Sequence, residues 1–145
     1  MEIESMLKQI IEQINILTFV TIMKDVSTIE AREDRRLILN ADNLDNETVW
    51  NLIEKARKGK DKTGTAIEAT IARLDRVGFV LLGDSEKPKI NPPIWLWTIV
   101  DEMWGVLKNW VSCCQDQTSE YFHAGYGYYF KKLAEIKAEN RIFAE

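Results

Sequence analysis

A chain of 145 residues with 46% hydrophobic and 29% charged side chains has the make-up of one folded domain, which argues against disorder and needs no disulfide or metal staple. Seven glycines and three prolines are few for a loop-rich β protein. A net charge of −4 gives no global attraction to nucleic acid or anionic lipid, so any such role must rest on a local patch.

The opening MEIESMLKQI carries acids where a secretory signal would carry Lys or Arg, and polar residues interrupt its apolar positions; a cytoplasmic protein is expected. The first helix is expected from about 3 to 23. Leu7, Ile10, Ile14, Leu17 and Thr21 recur there at 3, 4, 3 and 4, the narrow seam of a coiled coil. Leu7, Ile10, Ile14 and Leu17 are therefore candidates for self-association, with this helix as an oligomerisation arm. Ser27 with Glu30 has the spacing of a capping box, opening a second helix to about Leu39. NADNLDN follows as a turn, and Asp45 or Asn46 caps a third helix that Gly59 ends.

Beyond the loop KGKDKTG, Thr65 and Glu68 form a second capping box and open the helix AIEATIARLDRV, which Gly78 terminates. Residues 79–82 read as a buried connector or a short strand. Asn91-Pro92 starts a long helix to about Gln115. Two apolar stripes run along it, one through Trp97, Val100, Trp104, Leu107, Val111 and Cys114, the other through Ile99, Met103, Val106, Trp110 and Cys113. Asp101, Glu102 and Lys108 argue against a membrane span, because each central charge costs about 2.5–3.5 kcal/mol. A last helix is expected from about Thr118 to Asn140. Gly125 and Gly127 within it would each cost ~1 kcal/mol, which close approach of the tryptophans would offset. The short connection QDQTS pairs these two helices as an antiparallel hairpin.

No catalytic constellation emerges. Cys113 and Cys114 are adjacent, could bridge only with strain, and lack C-x-x-C spacing, so both read as packed thiols. His123 is the single histidine and has no visible nucleophile partner. Together with Trp97, Trp104, Trp110, Tyr126 and Tyr129 it makes an aromatic cluster that is either core or a small-ligand pocket. GKDKTG lacks the spacing of a phosphate loop. No catalytic residue, cofactor or metal ligand is expected.

The strongest local charge signal is residues 55–62, with five Lys or Arg against one Asp. Over residues 47–90 the order helix, turn, helix, hairpin resembles a winged helix, in which Lys55, Arg57, Lys58, Lys60, Lys62, Arg73 and Arg76 would contact nucleic acid. Glu68 and Asp75 share the face of Arg73 and Arg76, so its net charge is near zero, which disfavours phosphate contact.

From about 46 to 141 the chain resembles a prokaryotic all-helical domain family of unknown function. The resemblance is carried by ATIARLDRVGFVLLGD, WLWTIVDEMWGVLKNWV and YFHAGYGYYFKKLAEIKAEN. It implies a helical fold and no activity. The sequence thus predicts a single all-α domain, residues 1–145, built as a bundle of about five helices with a C-terminal aromatic-rich hairpin. Its expected role is a non-enzymatic interaction or scaffolding module, homo-oligomeric (a dimer) and not inserted in a membrane. The alternatives are a winged-helix-like DNA-binding regulator and a small-ligand-binding domain.

Overall fold

A computed structural model describes residues 2–41, 44, 46–59, 61–116 and 123–141. Six α-helices follow in order: α1 (Glu2–Ser27), α2 (Ile29–Leu39), α3 (Asn46–Arg57), α4 (Lys62–Leu82), α5 (Ile94–Gln115) and α6 (Tyr128–Ala134), then a 3-10 turn at Ala138–Asn140. The fold is all-α, and no strand occurs among the described residues.

The core forms around α4. Ile67, Ile71, Leu74, Val77, Leu81 and Leu82 are buried on it, a stripe wide enough that α1, α2, α3 and α6 all pack directly against this helix. Opposite stands α5, which buries Leu96, Val100, Met103, Leu107, Trp110, Val111 and Cys114. This face lies between the two stripes seen in the sequence, so Trp97 and Trp104 sit at its margin, only partly buried. The two long helices run antiparallel. Tyr126 joins Trp110 of α5 to Glu68 near the start of α4, while Lys132 of α6 reaches Gly83 at the end of α4.

Several element ends differ from expectation, each for a local reason. Thr28, not Ser27, caps α2: its hydroxyl accepts from the Ala31 N–H at 3.1 Å, while the Ser27 hydroxyl donates back to the Met23 carbonyl as the last residue of α1. At α4 the cap is Asp61, whose carboxylate accepts from the Gly64 N–H at 2.6 Å. The helix therefore starts before Thr65, and Glu68 turns inward instead of closing a capping box. Nor does Gly78 end α4. A Cβ there would lie 2.4 Å from the Tyr129 carbonyl oxygen, so the missing side chain admits the α6 backbone. Residues 79–82 consequently form the last helical turn, neither connector nor strand, and the stop falls at Gly83, with φ of 50°. Pro93 precedes α5 in place of the Asn91-Pro92 start. The Asp45 cap lies outside the described residues.

The largest difference is at the C-terminus. Residues 118–122 of the expected last helix lie outside the described residues, and 123–127 form a turn. Gly125 and Gly127 adopt φ of 81° and 62°, so they are left-handed turn residues, which removes the mid-helix cost assigned to them. Gly127 approaches Val111 and Ile71 rather than a tryptophan. The remaining helix, α6, has seven residues and runs antiparallel to α5, with Trp104 edge-on to Phe130 at 5.3 Å. Its closest packing is nevertheless on α4.

Candidate functional site

The long first helix carries the clearest candidate. At 1.5 Å per residue its 26 residues span about 39 Å. Only Met23 and Val26 are buried, with Phe19 and Ile22 packed against the core beside them. Asp25 pairs with Arg76 at 2.7 Å, and Arg35 donates to the Val26 carbonyl at 2.8 Å, fixing this end to α4 and α2. Further along, Glu12, Asn15, Ile16 and Thr18 face Phe79, Val80, Gly83, Lys89 and Ile90 across an open groove of about 500 Å³. Residues 2–11 are all exposed.

The apolar seam is on the other side. Ile3, Leu7, Ile10, Ile14 and Leu17 are 48–73% exposed, and Met6, Ile11 and Val20 are exposed beside them. At 100° per residue this seam lies roughly 160° round the helix from the group Phe19, Ile22, Met23 and Val26. The body therefore cannot fold over it. Among the described residues α1 is also the one helix long and apolar enough to cross a membrane by length and composition, with 6% of that stretch buried. Lys8 and Glu12 fall within it.

A second arrangement lies inside the body. The Tyr126 hydroxyl donates to Glu68 Oε2 at 2.5 Å and accepts from Trp110 Nε1 at 3.0 Å. Arg57 Nε stands 3.4 Å from Glu68 Oε1, and Gln115 Nε2 donates to the Tyr126 carbonyl at 2.8 Å. Burial, and then the Glu68 carboxylate, raise the Tyr126 phenol well above its ordinary pKa. The same two causes push the Cys114 thiol up to about 11, and burial raises Cys113 as well. Both cysteines are thiols at neutral pH, and the thiolate a nucleophile requires is suppressed. The network pins the 123–127 turn to α4 and α5. It is a structural tie, and α6 has a similar one: Asp75 Oδ1 accepts from the Tyr129 and Phe130 N–H groups at 2.8 and 3.0 Å.

The aromatic residues singled out in the sequence do not share one cavity. Trp97 lies under the Arg141 guanidinium, 4.6 Å from its ring, and Arg141 also grips Asp101 through two bonds of 2.7 and 2.8 Å. Trp104 meets Phe130, and Trp110 meets Tyr126. Tyr129 stacks edge-on with Phe79 and Tyr128. His123 is exposed in a surface groove with Gln115, Gly125, Tyr128, Lys131, Lys132 and Glu135.

Nor do the basic residues form one surface. Lys55, Arg57 and Lys58 sit at the end of α3 and Lys62 at the start of α4, whereas Lys60 lies outside the described residues. Arg57 is drawn to Glu68, and Lys58 pairs with Glu54 at 2.9 Å. Arg73 and Arg76 are about 17–21 Å further along α4. Arg73 is largely buried against Asp34 at 2.6 Å, and Arg76 holds Asp25. A helix packed by four others presents no recognition face, and no hairpin follows it among the described residues. The sequence reading missed Ile3 as the first member of the seam and Met6, Ile11 and Val20 as its flanks, although their spacing was available. It also missed the ties from Glu68 and Asp75, which depend on long-range packing.

No family model, curated protein or solved structure matches the chain. The resemblance over 46–141 accordingly carries no residue role into this site.

Proposed function

We propose that the protein is a non-enzymatic helical interaction module that assembles with copies of itself through α1. One observation carries the proposal: α1 is two-faced, with one face docked on the body and the opposite face, Ile3 to Leu17, apolar, regularly spaced and uncovered. Burying such side chains is worth roughly 1.5–3 kcal/mol each, so a helix leaving five of them in water has a strong drive to find a partner.

The 3-4 repeat favours another helix over a bilayer. A spanning α1 would bury Lys8 and Glu12 at about 2.5–3.5 kcal/mol each, with Gln9, Gln13 and Asn15 besides. Lying flat on anionic lipid is disfavoured too, because Glu2, Glu4 and Glu12 outnumber Lys8 on this part of the helix.

Light scattering during size exclusion tests the proposal. The full chain at micromolar concentration should elute above its monomer mass of 16.8 kDa, and Leu7→Asp with Ile14→Asp should return it to a monomer with unchanged tryptophan spectra. A wild-type monomer at all accessible concentrations, above all one that binds neutral lipid vesicles, would rule self-association out.

A further inference from the structure

We draw no further inference here: the strongest candidate, the open groove between α1 and the end of α4 that Ile16, Phe79, Val80 and Ile90 line, is an apolar surface to which Glu12 and Lys89 bring opposite charges, and nothing in the structure shows what covers it.

Discussion

At the scale of single residues, two glycines on the long helices illustrate how the same residue type answers different needs. Gly78 on α4 is buried, and a Cβ there would strike the Tyr129 backbone, which cannot swing aside as a side-chain tip could. Gly105 on α5 is exposed, and a Cβ there would meet nothing within 4 Å. Gly78→Ala should therefore cost about 1–3 kcal/mol, whereas Gly105→Ala should gain roughly 0.5–1 kcal/mol by stiffening the unfolded chain and favouring helix. Urea titrations of the two variants check both signs. The buried thiol and phenol beside Glu68 make a second prediction. Cys114 keeps its proton up to about pH 11 in the folded protein, against 9.0 ordinarily, and Tyr126 is raised from 10.0. An acid whose folded pKa is raised contributes stability below its unfolded pKa and loses it as pH climbs toward the folded one. Stability should hold to about pH 8, then fall from pH 9 through 11; the Cys114→Ala variant should lose the first part of that fall.

At the scale of elements, α6 is the most dependent. Seven residues do not sustain a helix alone, so its existence rests on Asp75 bonding two of its first N–H groups and on Phe130 and Leu133 entering the core. Asp75→Ala should cost about 1–2 kcal/mol, the range for a lost helix cap, and amide exchange should show the loss concentrated in residues 128–134. A uniform loss across the chain would contradict that role. The same element marks where the sequence could be read and where it could not. Helices α1, α3 and α5 announce themselves by periodicity and by local stops, and the seam of Leu7, Ile10, Ile14 and Leu17 is explicit in the 3-4 spacing. Gly78 misleads because a glycine kept for close approach of a distant backbone has the same letter as one that ends a helix. Gly125 and Gly127 mislead in reverse: their positive φ belongs to a turn, but they interrupt a pattern that looks helical. Glu68 and Asp75 read as surface acids because their partners, Tyr126 and the start of α6, lie more than 50 residues away in the chain.

At the scale of the whole molecule, a body of packed helices is joined to a helix that it covers on only one side. The body is well provided with ties: Arg73 to Asp34, Arg76 to Asp25 and Arg141 to Asp101 link α2, α1 and the C-terminal segment to the two long helices. The exposed pairs among these add little individually, and the buried stripes of α4 and α5 carry most of the stability. None of this supports residues 2–11, which touch no part of the core. An isolated helical stretch of that length is marginal in water, so its persistence depends on whatever covers the seam. Amide hydrogen exchange across residues 3–17, measured over a range of protein concentrations, tests this most directly. Self-association predicts protection that grows with concentration while the body amides stay constant. Fast exchange of that segment at every concentration, above a protected body, would contradict it.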